Sequence, residues 1–139
     1  MGEIQLEQTP QQCTLFVGSP GFGLVGSITS EFLIEHLDMK KIGVILFDEL
    51  MPTVAIHQGK IIEPVSVHYS EAHNIVVVHI LSSIQGIEWH LARDIRQLAG
   101  LLQVQQTVVL EGIAAQEHAV YGHNIKDVEA VQEGIVMGV

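Results

Sequence analysis

The sequence predicts an α/β fold, a three-layer α/β/α sandwich built on a mostly parallel sheet. Three observations lead there. Apolar runs of strand length alternate with longer stretches of helical period, a glycine-rich turn joins the first strong strand to the first helix, and crossover helices favour parallel neighbours. Residues 1–11 carry no such pattern and read as an extended or poorly ordered lead-in. The first strand is Cys13-Thr14-Leu15-Phe16-Val17, short and apolar, running into Gly18-Ser19-Pro20-Gly21-Phe22-Gly23. From residue 24 to 37 the period changes. Val25, Ile28, Phe32, Leu33 and Leu37 fall on one helical face, with Ser27, Glu31, Glu35 and Asp38 on another.

Ile42-Gly43-Val44-Ile45-Leu46-Phe47 is nearly continuous apolar, as expected of a strand covered on both faces. Two β-like pieces follow, residues 53–57 and 60–67, and Gln58-Gly59 between them suggests a hairpin. Residues 74–81 form another β-prone run. Ile87, Leu91, Ile95, Leu98 and Leu102 then step by three or four, which predicts a second helix against the sheet. Thr107-Val108-Val109-Leu110 is a further buried strand ending in Glu111-Gly112. Asn124 reads as an N-cap with Asp127 three residues on, opening a short helix to Val131, and Ile135-Val136-Met137 begins a last strand. The whole chain, 1–139, reads as one domain that stops before its C-terminal elements.

Composition narrows the function. Of 139 residues, 47% are hydrophobic and only 16% charged, and the mean hydropathy is +0.35. Disorder is excluded, because too much apolar material must be buried. So small a globule also struggles to cover itself with polar groups, which predicts apolar surface buried against another copy or a partner. Six basic residues against sixteen acidic ones give a net charge of −10. Phosphate-rich partners need clustered cations, so neither nucleic acid nor an anionic membrane is an expected partner. A single cysteine, Cys13, forms no internal disulfide and suits a reducing, cytoplasmic setting. It reads as a small buried hydrophobe.

The segment with most potential chemistry is the 18–26 turn. A glycine turn before a helix offers N–H groups and the positive dipole end to an anion, which makes Gly18, Ser19, Gly21, Phe22, Gly23 and Gly26 the candidate anion-binding residues. The turn is not a Walker loop, for no Gly-Lys-Ser/Thr follows. Gly21-x-Gly23-x-x-Gly26 matches the dinucleotide spacing, but Asp38 comes too early for the ribose acid. A tight turn allowing close packing is the plain alternative. Ser19 lacks the Gly-x-Ser-x-Gly setting of a nucleophile and reads as a turn serine.

Eight histidines are many for this length. His57, His68, His79 and His90 recur every eleven residues, but across strands and a helix, so the spacing alone predicts no shared site. His118 and His123 flank a turn without making His-Glu-x-x-His, and no metal or other cofactor is expected. On the second helix Trp89, Arg93 and Arg96 lie off the apolar stripe. Tryptophan beside arginine anchors many protein interfaces, so these three are the candidate contact residues. Glu111, at a strand end beside Gly112, occupies a common ligand position in α/β sheets. With no acid–base pair assignable, no catalytic set emerges.

Phe16-Val17-Gly18-Ser19-Pro20-Gly21-Phe22-Gly23-Leu24-Val25-Gly26 resembles the opening signature of the proteasome assembly chaperone family, particularly its archaeal members. Leu110-Glu111-Gly112-Ile113, Val120-Tyr121-Gly122 and Gly134-Ile135-Val136-Met137-Gly138 are similar to its later motifs and arrive in the same order. His123 departs from it, standing where a small residue is usual. The resemblance implies a sandwich related in shape to nucleoside phosphorylases and hydrolases, no catalytic centre, homo-oligomers, and binding to proteasome subunits or other assembly factors. Members that dock on the proteasome ring do so through a C-terminal hydrophobic-tyrosine-any tripeptide, whereas this sequence ends Met137-Gly138-Val139. The expected function is therefore a non-enzymatic, cytoplasmic assembly chaperone. The alternative is an enzyme or sensor that holds a nucleotide or phosphometabolite at the 18–26 turn.

Overall fold

The computed structural model describes residues 2–47, 55–57, 60–81 and 86–112. The helix expected after Asn124, the strand at Ile135 and both His118 and His123 lie outside them. Six strands form the main sheet: β1 (Gly2–Leu6), β2 (Thr14–Gly18), β3 (Lys40–Phe47), β6 (Val65–Ser70), β7 (Ile75–Ile80) and β8 (Gln106–Leu110), in the order β1-β3-β6-β7-β2-β8. Two short strands, β4 (Ala55–His57) and β5 (Lys60–Ile62), make the antiparallel hairpin that Gln58-Gly59 predicts, with His57 opposite Lys60. Pro64 cannot donate to a ladder, and the run expected over 60–67 is split there between β5 and β6.

The mixed α/β character holds, but the mostly parallel sheet does not. Only β2 runs parallel to its neighbours, β7 and β8, while β1–β3, β3–β6 and β6–β7 are antiparallel. The reason is local. The four-residue turn 71–74 returns β6 directly onto β7, with Ser70 opposite Ile75, so no crossover intervenes. Asn74 holds that turn in the left-handed region (φ 52°), which its short side chain tolerates. Its amide donates to the carbonyls of Gln11 and Gln12, and its oxygen accepts from the Tyr69 hydroxyl.

Two helices lie on the sheet, α1 (Val25–His36) and α2 (Glu88–Leu101). Side chains alternate along β7. Val76, Val78 and Ile80 join Leu15, Val17, Val65 and Val67 in one cluster with Ile87, Leu91, Leu98 and Leu102 of the α2 segment. His79 points the other way and meets α1 through Ser30. The helices therefore cover opposite faces. At the end of α2, orphan carbonyls find partners: Gln11 Nε2 donates to Leu101 O at 3.0 Å and the Gln12 N–H to Leu102 O at 2.9 Å.

One residue breaks α2's apolar stripe. Asp94 is only 6% exposed and shares the buried face with Leu91 and Leu98, yet its Oδ2 has no hydrogen-bond partner among the described residues. A buried, unsatisfied carboxylate oxygen costs stability that an apolar side chain of similar volume would not. Asp94→Leu is expected to raise stability by about 1–3 kcal/mol, read as a higher urea midpoint with an unchanged slope.

Candidate functional site

The 18–26 segment is shaped by how closely α1 approaches the strand ends. A Cβ on Gly26 would lie 2.4 Å from Ser19 O and 2.5 Å from Leu110 O, and one on Gly18 would lie 2.2 Å from Gly26 O. Glycine is required at both, because backbone meets backbone. Between them the Gly21 N–H donates to Ser19 O (2.9 Å) and the Leu24 N–H to Gly21 O (3.0 Å), forming a single 3-10 turn at residues 22–24. Gly23 (φ 68°) and Leu24 (φ 57°) are both left-handed. For leucine that conformation costs of order 1–3 kcal/mol, and such strain gathers at functional surfaces. Leu24 is also 54% exposed, so packing does not account for it.

The predicted anion-binding residues are thus brought together, but with a negative charge among them. The Glu111 carboxylate, just past β8, lies about 3.5 Å from where a Gly21 Cβ would stand. No basic residue occupies the first turn of α1, whose sequence there is Val25-Gly26-Ser27-Ile28. The field at this helix N-terminus is therefore much less inviting to phosphate than a bare glycine turn.

α1 itself departs from its expected orientation. Val25, Ile28 and Phe32, expected to share a face with Leu33 and Leu37, are 44%, 59% and 60% exposed. The buried residues of the helix are instead Gly26 and Ser30. A helix pressed so near the sheet has room only for small side chains beneath it, so the bulky ones turn outward. Leu24, Val25, Ile28 and Phe32 form an apolar stripe along the outside, lengthened by His36, whose ring stacks on Phe32 at 5.2 Å.

Beneath α1 lies a polar layer that sequence reading missed. Ser27 Oγ donates to Ile80 O (2.9 Å), and Ser30 Oγ lies 3.0 Å from Ser27 O and 2.7 Å from His79 Nδ1. A hydroxyl has one proton, so if Ser30 donates to Ser27 O it accepts from an Nδ1–H of neutral His79. Ser66 stands directly opposite His79 on β6, and its Oγ is 2.9 Å from His68 Nε2. The eleven-residue spacing of His68 and His79 thus acquires meaning from the β6–β7 hairpin, which sets them diagonally on one face. Burial, aided by His79 and Lys41, pushes His68 down to about 4 against the opposing pull of Glu63. Burial likewise lowers His79, opposed by Glu31. Ser30 is fully buried, so this Ser–His contact tethers α1 rather than offering a nucleophile to solvent.

The other predicted residues fall as expected by position. Trp89, Arg93 and Arg96 all lie on the exposed face of α2, and Trp89 is 84% exposed. Cys13 is buried, and burial raises its thiol above the usual range. An open groove of about 680 Å³ lies at the far end of α1, lined in part by Leu37, Asp38, Lys40, Tyr69 and Glu71. None of the predicted site residues reaches it.

Residues 15–137 match the PAC2 family. This chain belongs to that family. No curated protein matches it. Among solved structures, PbaA of Pyrococcus furiosus, an archaeal homolog of proteasome-assembly chaperone, is similar with a TM-score of 0.77 at 18% identity, over 99% of this chain and 66% of that one. A Thermoplasma acidophilum protein of unknown function gives 0.73 at 14% identity, over 93% and 56%. PbaB of Pyrococcus furiosus, an archaeal proteasome activator, gives 0.70 at 16% identity, over 95% and 62%. At such identities the likeness establishes the PAC2 fold, and this chain spans at most about two thirds of each relative's length. Among the described residues of this PAC2 chain, no helix is long and apolar enough to cross a membrane.

Proposed function

We propose that this PAC2 chain is a non-enzymatic, cytoplasmic assembly chaperone that works as a homo-oligomer and binds unassembled protein subunits, proteasome components among them. The observation that carries the reading is the outward stripe of Leu24, Val25, Ile28 and Phe32 on α1. Apolar area held on a rigid helix, in a chain with few charges, is stabilised when another polypeptide covers it. PbaA and PbaB, named for proteasome assembly and activation, share the fold and support the choice of client. The fold, on this reading, is a three-layer sandwich.

Nucleotide or phosphometabolite binding at the 18–26 turn is the weaker reading, because Glu111 puts negative charge where phosphate would sit. The test mixes the purified chain with unassembled archaeal proteasome α-type subunits at tens of micromolar and reads complexes by native mass spectrometry. A complex of defined stoichiometry, with no thermal shift from a panel of nucleotides and sugar phosphates, is the expected result. A chain that ignores every subunit and is stabilised by one of those ligands overturns the proposal.

A further inference from the structure

We infer that two copies of this chain pair edge to edge through β1, antiparallel and centred on Ile4, joining their main sheets into one. The inference rests on the homo-oligomer reading and names the strand and the register in which copies meet.

β1 closes one edge of the main sheet, and among the described residues only β3 pairs with it. Proteins usually keep an exposed edge from pairing with a lysine, a proline or a bulge. Gly2-Glu3-Ile4-Gln5-Leu6 has none of these, and its register with β3 is unbroken from Gly2↔Phe47 to Leu6↔Gly43. The next residue shows which backbone groups face outward. The Glu7 N–H donates to Ile42 O at 2.7 Å, so Glu3, Gln5 and Glu7 bond inward to β3. The N–H and C=O groups of Gly2, Ile4 and Leu6 therefore point away from the sheet. Side chains follow the pleat. Ile4 and Leu6 pack against the core but are only partly buried, while Glu3, Gln5 and Glu7 are exposed on the other face.

Backbone parity and charge together select one register. Outward groups must meet outward groups, so even-numbered residues stand opposite even-numbered ones. Centred on Glu3, the two copies set one glutamate directly against the other. Centred on Gln5, Glu3 of each copy faces Glu7 of the second. Like charges directly opposite destabilise a ladder. Centred on Leu6, Gly2 and Glu3 fall opposite Pro10 and Thr9, beyond the strand, and Pro10 has no N–H to give. Centred on Ile4, every residue of β1 finds a partner: Ile4 meets Ile4, Gly2 meets Leu6, and Glu3 meets Gln5. The last two are matched in chemistry, since within one strand Gln5 Nε2 already donates to Glu3 Oε1 at 3.2 Å. Ile4 then covers its counterpart at the dyad, removing apolar surface that one copy leaves half-exposed. The contact is isologous and closes on itself. Because α1 packs on β2, β7 and β8, the client stripe stays open in the pair.

The register makes a cross-link that only a mixture can form. Glu3 and Gln5 of opposite copies are a non-hydrogen-bonded pair, with Cα atoms about 4.5 Å apart, inside disulfide range. Two Glu3 residues are diagonal neighbours at roughly 7–8 Å, outside it, and so are two Gln5 residues. Glu3→Cys and Gln5→Cys are therefore purified separately, mixed, and oxidised mildly. Both positions are exposed, Cys13 is buried and does not compete, and far-UV dichroism checks the folding of each variant. The expected product is a disulfide-linked pair of twice the 15.2 kDa chain mass from the mixture and from neither variant alone. Sedimentation equilibrium supplies the second measurement. Gln5→Glu should weaken association roughly 2- to 30-fold by setting carboxylates opposite one another twice per pair, and adding Glu3→Gln to it should restore wild-type affinity. An oligomeric wild type whose cysteine variants do not cross-link on mixing, or whose Gln5→Glu variant associates as tightly as before, overturns the β1 contact and leaves the homo-oligomer reading standing. A wild type that stays monomeric at tens of micromolar overturns both, the edge then being open to an extended segment of another protein.

Discussion

Gly26→Ala is expected to leave little folded protein. The added methyl would meet Ser19 O at 2.4 Å, Leu110 O at 2.5 Å and Ser19 N at 2.7 Å, all of them backbone atoms at the ends of β2 and β8. A side chain can swing away from such a clash, but these atoms cannot move without lifting α1 off the sheet or opening the β2–β8 ladder. Overpacking a core usually costs about 1–3 kcal/mol, and a rigid backbone contact puts this case at the upper end or beyond it. Domains of this size have only about 5–15 kcal/mol in hand. Gly100→Ala is the matched control, since nothing lies within 4 Å of its Cβ position near the end of α2. It should stabilise the helix by about 0.5–1 kcal/mol. Chemical denaturation of the two variants beside wild type checks both signs, and equal behaviour of the two would show that α1 sits less tightly than described.

Acid should weaken the fold through His68. Its ordinary value is 6.5 and burial lowers it to about 4. Above pH 6.5 the imidazole is neutral in both folded and unfolded chains and contributes no pH dependence. As pH falls below 6.5 the unfolded chain takes up a proton that the folded chain refuses, so stability declines until about pH 4, where the folded form also protonates. The full loss from this residue reaches up to about 3 kcal/mol, and His79, lowered in the same direction, adds to it. Carboxylates titrate over the lower part of this window, so the informative quantity is the difference between wild type and His68→Gln. The variant should show a flatter decline in urea midpoint between pH 7 and pH 4, and superimposable curves would remove His68 as the cause.

Much of the fold could be read from local pattern. Strands announce themselves as apolar runs, and β2, β3, β7 and β8 fall where Leu15, Ile45, Val77 and Val109 predict them, although β8 lies at the sheet edge and is not the buried strand expected, for Val109 is 52% exposed. Strand direction was less legible. A helix between β2 and β3 marks a crossover but does not say that β3 lands three places away from β2 in the sheet, beside β1 and β6. On α1 the period was right and the orientation wrong. Periodicity groups the large apolar residues, while the distance from helix to sheet decides which arc turns inward, and that distance is set by Gly18 and Gly26. The glycine turn was equally plain in the sequence, yet the carboxylate that discourages an anion there lies ninety residues further on, in Glu111. Ser30 and His79 are 49 residues apart, and no local signal joins them.

The place of β2 in the sheet bears on how the chain is made. It is encoded ahead of both its hydrogen-bonding neighbours, β7 about sixty residues on and β8 about ninety. Until translation passes Leu110, the nascent polypeptide carries an apolar ribbon with two unsatisfied edges, a state open to wrong pairing. A protein whose proposed work is to shelter incomplete subunits thus passes through an interval in which it is itself one.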